Sequence, residues 1–101
     1  MAMTRDDLRA ALTLHPDDDV AVALRDLAAG IELDVRRGDA DVHVVLKDSI
    51  PLGHKFALGP LTPGQRVRKY GQVIGEATEA IDAGAHVHVH NIASLRGRGA
   101  R

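Results

Sequence analysis

Ile31-Glu32-Leu33-Asp34-Val35-Arg36-Arg37-Gly38-Asp39-Ala40-Asp41-Val42-His43-Val44-Val45-Leu46 decides the fold class. From Ile31 to Val35 apolar and acidic residues alternate, the period of a strand with one face buried. Val42 to Leu46 is a second apolar run, and Arg37-Gly38-Asp39 between them carries turn chemistry. His43, between Val42 and Val44, is expected at the surface. A helix would need its apolar positions three and four apart, and this stretch places them two apart.

The same pattern extends in both directions. Val20-Ala21-Val22-Ala23-Leu24 is a short apolar run between Asp17-Asp18-Asp19 and Arg25-Asp26, the profile of a buried strand, and Ala29-Gly30 turns the chain into the next one. Downstream, Pro51-Leu52-Gly53 and Pro60-Leu61-Thr62-Pro63-Gly64 bracket Lys55-Phe56-Ala57-Leu58, which leaves room only for a short strand or link. Val67 to Lys69, Val73-Ile74 and Ala85 to Val89 repeat the pattern, each with a glycine a few residues ahead. Breakers this frequent leave no space for long helices, so the chain reads as mainly β, a domain of many short strands. Thr4 to Leu14 is ambiguous. Thr4 and Asp7 resemble a capping box before Leu8, Ala11 and Leu12, while Leu12 to His15 alternates as a strand does, so a short N-terminal helix followed by a strand is expected. After Asn91 the apolar pattern stops, and a basic, glycine-interrupted tail is expected.

Composition excludes several classes of function. With 101 residues, 45% hydrophobic and 27% charged, the chain can form one core, too small for a catalytic barrel. One Phe and one Tyr give no base-stacking surface, and 13 basic residues against 14 acidic ones give no phosphate-steering field, so nucleic acid is not expected as a partner. No Cys is present, so a metal would be held by His, carboxylate or carbonyl groups. No stretch reaches the roughly 18 apolar residues of a membrane span, and no leader pattern opens the chain; no membrane association and a cytoplasmic location are the expectations.

The residues with chemistry cluster near the end. In Gly84-Ala85-His86-Val87-His88-Val89-His90-Asn91 three His alternate with Val, so on a strand the imidazoles share one face and the valines enter the core. Residues two apart start roughly 6.6 Å apart and can converge on one ion at about 2.1 Å. His86 and His90, four apart, start roughly 13 Å apart and would need a bulge. At most two of the three should therefore bind one metal. Imidazoles gathered this way also serve as bases near neutral pH. Spacing alone leaves a third reading open, the wet face of an edge strand. Asn91 suits a turn or a substrate hydrogen bond. Gly53-His54-Lys55 offers two donors beside a glycine, as an anionic carboxylate would want, but also reads as an exposed turn. In Lys69-Tyr70-Gly71 the lone Tyr reads as a packing residue. His15 with Asp17-Asp18-Asp19 could ligate a hard cation, although a solvated acidic loop is the simpler reading.

Four blocks occur in one order: Leu14-His15 with Asp19 to Leu24, Ile50 to Leu58, Arg68 to Gly75, and Gly84 to Asn91. Together they resemble the small N-terminal domain, or separate small subunit, of the altronate and galactarate dehydratases, a group that includes sulfolactate sulfo-lyase. The resemblance covers residues 14–92, leaving 1–13 as an N-terminal extension and 93–101 as a basic flexible tail. Asp19 stands where the family commonly has Asn. The triple-His ending is closer to altronate dehydratase and sulfolactate lyase than to galactarate dehydratase.

The resemblance implies a β-clip domain of the SAF type, named for sialic acid synthases, antifreeze proteins and flagellar assembly chaperones. It implies a much larger catalytic subunit as partner, with this chain encoded separately, and a divalent metal, Fe2+ or Mn2+, held mainly by that subunit. It implies dehydration of a sugar acid such as altronate by β-elimination, with His15, His86 and His88 as catalytic residues, His54, Lys55 and Asn91 near the substrate, and His88 and His90 as the metal pair. The alternatives are loss of sulfite in a sulfolactate sulfo-lyase, a non-catalytic SAF module binding a sugar acid or a protein, and a standalone metal-binding protein.

Overall fold

A computed structural model describes residues 10–94. These residues form nine strands: β1 (Ala11–Leu12), β2 (Val20–Ala23), β3 (Glu32–Arg37), β4 (Ala40–Val45), β5 (Lys55–Ala57), β6 (Arg66–Lys69), β7 (Gln72–Ala77), β8 (His86–Val87) and β9 (Ile92–Ala93). All pairings are antiparallel, in a four-stranded sheet of order β1-β2-β5-β8, the hairpin β3-β4, and a three-stranded sheet β6-β7-β9. The mainly β reading holds. The helix expected near Thr4 falls on residues outside the described ones. No helix among the described residues is long and apolar enough to cross a membrane.

A four-residue pattern, Leu or Ile followed three places later by Gly, organises the chain. It occurs at Leu27-Gly30, Ile50-Gly53, Leu61-Gly64 and Ile81-Gly84. Each glycine has φ between 84° and 90°. The residue after it donates to the carbonyl three positions back: Ile31 to Ala28, His54 to Pro51, Gln65 to Thr62, and Ala85 to Asp82. That is the type II arrangement, whose third position needs a positive φ and so favours glycine. The apolar residues ahead of the turns pair with each other. Leu27 and Ile50 exchange two backbone hydrogen bonds, and Leu61 and Ile81 do the same. Each half of the molecule is therefore a hairpin, β3-β4 or β6-β7, framed by two such turns and closed by one apolar bridge.

The hairpin tips obey turn chemistry too. Gly38, with φ 62°, opens the two-residue loop between the paired Arg37 and Ala40, as type II′ favours. Tyr70 and Gly71, at φ 55° and 79°, link the paired Lys69 and Gln72 in the type I′ manner. The closest backbone approach is at Gly84, where a Cβ would come within 2.0 Å of the Val45 carbonyl oxygen. There Lys47 N–H donates to the Gly84 carbonyl and Gly84 N–H to the Ala57 carbonyl, joining the first hairpin to the sheet.

Two apolar clusters form the core. Phe56, Leu33, Leu46 and Ile50 anchor one, Val20, Val67, Val87 and Ile81 the other, and all are buried. Burying each such side chain favours folding by about 1.5–3 kcal/mol. The alternation read from Ile31 to Val35 appears as Leu33 and Val35 inside and Glu32 and Asp34 outside. The core also takes in Ala10 and Ala11, ahead of the 14–92 limits. Ala93 lies in β9, paired with Glu76, rather than in a tail, and residues 95–101 are outside the described part. The acidic run is no simple solvated loop. Asp18 is fully buried and accepts hydrogen bonds from the N–H groups of Leu14, His15 and Gly71.

Candidate functional site

The chain leaves each half of the molecule through a Gly turn directly into a paired strand. His54 follows Gly53 into β5, and His86 follows Gly84 by two residues into β8. Because β5 and β8 pair with Lys55 opposite Val87 and Phe56 opposite His86, the next step of the register sets His54 beside His88. Their ring centroids are 4.6 Å apart, His54 and His86 are 5.0 Å apart, and His86 and His88 5.4 Å, all near parallel. His54 Nδ1 lies 2.9 Å from His86 Nε2. A ring nitrogen from each of the three lies within 4.8 Å of the others.

The alternation expected through Val89 stops early. Val87 is fully buried as foreseen, but β8 ends there, and residues 88–91 turn back. Val89 is consequently 82% exposed instead of entering the core. The turn also removes the 13 Å separation expected of an extended strand, and His90 comes to 5.6 Å from His86 in a tilted arrangement. The imidazoles that converge are His54, His86 and His88, whereas the pair taken from the resemblance was His88 and His90.

Asn91 holds this turn. It is buried, its Oδ1 accepts from His88 N–H and its Nδ2 donates to the His86 carbonyl. Both amide atoms thus bond within residues 86–91, the turn role that the sequence offered beside a substrate contact. Asp48 was not foreseen. Its carboxylate accepts from His86 N–H on the other side, and no sequence pattern marked it.

His88 also lines a cavity of about 280 Å³ whose wall includes Lys55, Lys69, Ile74, Val89 and Ile92. Lys55 is half-buried, and its pKa is lowered by desolvation and then by the charge of Lys69. His86 is lowered by desolvation first, then by its imidazole neighbours, with Asp48 opposing; His88 is lowered by desolvation and by the charges of His54, Lys55 and His90. Two ammonium groups beside the His88 imidazole suit a small anion with polar oxygens. Lys69 carries no sequence signal of its own, since a lysine ahead of a Tyr-Gly turn reads as a solvated side chain.

His15 sits elsewhere. It lies in the β1–β2 loop, where its Nδ1 accepts from Asp17 N–H and its ring packs on Gly71, at which a Cβ would fall 2.8 Å from His15 Cδ2. Its contacts are with this loop and the β6–β7 tip rather than with the three clustered imidazoles. His43, on β4, is exposed as expected and pairs with Asp34 and Glu32.

An all-strand arrangement of two bridged hairpins among the described residues is consistent with the mainly β architecture of a SAF-type domain. A family model described as the altronate/galactarate dehydratase SAF domain matches residues 9–95, and the chain belongs to that family. It is 46% identical over 80 residues to the altronate dehydratase of Escherichia coli (strain K12), which is 79% of this chain and 15% of that protein. To the altronate dehydratase of Bacillus subtilis (strain 168) it is 37% identical over 84 residues, 83% of this chain and 16% of that protein. To the (2R)-sulfolactate sulfo-lyase subunit alpha of Chromohalobacter salexigens it is 37% identical over 87 residues, 82% of this chain and 93% of that subunit. The chain thus spans about a sixth of the altronate dehydratases it matches and nearly all of the sulfo-lyase subunit.

Proposed function

We propose that this chain is the small SAF component of a lyase that eliminates water from a sugar acid such as altronate, working with a larger catalytic subunit. The observation that carries this reading is the lysine-walled cavity with the His88 imidazole in its wall, in a chain 46% identical to an altronate dehydratase over its matching part. In such an elimination the proton beside the carboxylate leaves, the hydroxyl on the next carbon departs, and the enol becomes a 2-keto-3-deoxy acid. Lys55 and Lys69 receive the acid group. His86 and His88 keep their lone pairs near neutral pH, and a lone pair there can accept a proton or hold a metal. The donor set of His54, His86 and His88 fits a divalent metal such as Fe2+. When bound, such an ion polarises substrate oxygens and eases departure of hydroxide. The rest of the site, including a metal position of its own, belongs to the larger subunit.

The near-complete match to a sulfo-lyase subunit alpha favours a second reading, in which sulfite leaves in place of water. One experiment addresses both. The chain is co-expressed with a large subunit of the same family, and altronate and sulfolactate are supplied separately. Keto-deoxy acid from altronate, formed only when both chains are present, is the expected result. Sulfite from sulfolactate alone would select the second reading, and turnover by the large subunit without this chain would overturn both.

A further inference from the structure

His54, His86 and His88 are held on two elements whose backbones are already fixed. His54 enters β5 through the Gly53 turn, His86 N–H is bonded by Asp48, and His88 N–H by Asn91. The rings themselves are half-buried rather than packed into the core. His54 Nδ1 and His86 Nε2 lie 2.9 Å apart, a distance two lone pairs tolerate only with a proton between them. A metal ion is the other species that fits between two such nitrogens. Around a tetrahedral ion with bonds of about 2.0–2.1 Å, ligand nitrogens lie roughly 3.4 Å apart. The three nitrogens, within 4.8 Å of one another, reach that spacing by closing roughly 1.4 Å at most, within reach of small ring rotations.

From this the geometry points to a binding site for one divalent transition-metal ion on this chain, ligated by His54 Nδ1, His86 Nε2 and one ring nitrogen of His88. Three imidazoles suit zinc, iron, cobalt or nickel and exclude a calcium-type site, which wants oxygens. Three protein ligands leave at least one position for an exogenous oxygen. Since His88 also lines the lysine-walled cavity, the oxygen this position suits is that of a hydroxy acid. The site stands independently of the lyase reading and deepens it by placing an ion on this chain as well as in the larger subunit. His90, tilted away at 5.6 Å from His86, is outside the ligand set.

The test uses the 101-residue chain without a partner. Co2+ is titrated in and followed by its visible absorption, and Zn2+ by calorimetry. One equivalent per chain is expected. His54→Ala, His86→Ala and His88→Ala should each weaken binding by more than about tenfold, the lower end of what loss of an outer-shell partner costs a metal site. His43→Ala and His90→Ala should leave it within about twofold. Circular dichroism separates loss of a ligand from loss of fold, and His54→Gln and His88→Gln serve if an alanine variant unfolds. Absence of saturable binding overturns the site, as does binding that survives His54→Ala and His86→Ala unchanged or that falls as far with His90→Ala. A reconstituted lyase active with a small chain that binds no ion would sink the site and leave the lyase reading standing. Stoichiometric binding with no lyase turnover would support the site against that reading.

Discussion

His54 Nδ1 and His86 Nε2 face each other at 2.9 Å although 32 residues separate them in the chain. Each ring follows the closing turn of one half of the molecule, so their meeting is a consequence of the β5–β8 pairing. Desolvation and neighbouring imidazoles lower the pKa of His86, and desolvation with His54, Lys55 and His90 lowers that of His88. Both should titrate below 6.5, the ordinary value, in imidazole NMR spectra of the chain without metal. Their contribution to stability is present above 6.5 and lost as pH falls through the folded values. Midpoints at or above the ordinary value would mean the rings are not packed together in solution.

Asp18 should matter more for folding than any other acidic residue among the described ones. Its buried carboxylate accepts from Leu14, His15 and Gly71 N–H, which ties the β1–β2 loop to the β6–β7 tip. Asp18→Ala leaves these three part-buried donors without their acceptor, and a loss of about 2 kcal/mol in urea unfolding is expected. Asp17→Ala, on an exposed side chain, should change stability by less than about 0.5 kcal/mol. Equal effects of the two substitutions would contradict the assigned role of Asp18.

Much of the fold was legible because strand periodicity and glycine turns are local signals. β2, β3, β4, β5, β6 and β7 fall within a residue or three of the runs that announced them. Asp18 was not legible, since only the folded chain shows that the middle of three aspartates points inward. β9 was missed because two residues, Ile92 and Ala93, carry no period of their own and pair only because β7 offers an edge. At the site, the histidines were readable individually but their grouping was not. Their residue types could be read along the chain, but the meeting of His54 with His88 depends on a sheet register, and the reversal of 88–91 on the amide of Asn91. The Leu/Ile-to-Gly repeat was present in the sequence, and only its spacing in three dimensions gave it meaning.

Gly84 and Gly59 should respond very differently to alanine. At Gly84 a positive φ of 84° combines with a Cβ position 2.0 Å from the Val45 carbonyl oxygen, so both the backbone and the first hairpin would have to move. Gly84→Ala is expected to cost more than about 4 kcal/mol and to leave little soluble folded chain. Nothing lies within 4 Å of the corresponding position at Gly59. Gly59→Ala should therefore keep the thermal midpoint near that of the parent. A soluble, folded Gly84→Ala protein of parental stability would show that the joint between hairpin and sheet is not where the structure places it.

The exposed pair of Asp34 and His43 gives the opposite pH response from the clustered imidazoles. They are directly opposed on β3 and β4, and His43 Nδ1 lies 2.9 Å from Asp34 Oδ1 with Glu32 at 3.3 Å from Nε2. The Asp34 hydrogen bond, aided by the charges of Asp34 and Glu32, raises the His43 pKa above 6.5. Between 6.5 and that raised value the folded chain holds more protons than the unfolded one. The stabilisation is thus complete below 6.5 and disappears as pH rises through the folded value. His43→Gln should lower the thermal midpoint near about pH 5.5 and leave it unchanged near about pH 8.5. A deficit of equal size at both would assign the effect to packing instead of charge.

Lys55 and Lys69 border one cavity with His88, so they should govern how tightly an acid substrate is held in the reconstituted enzyme. Lys55 is the better placed for a carboxylate, because its half-buried ammonium has already lost part of its water and gains more from an anion than an exposed one does. A charge-assisted hydrogen bond contributes about 1.5–3 kcal/mol, so Lys55→Met, which keeps the apolar stem, should raise KM by roughly ten- to a hundredfold. Lys69→Met should raise it less and should also relieve the repulsion that helps lower the Lys55 pKa. If the bond is made equally to substrate and transition state, kcat changes little and the effect stays in KM. A fall in kcat at constant KM would instead place the Lys55 charge at the reacting carbons, and unchanged kinetics in both variants would remove the cavity from the substrate's path.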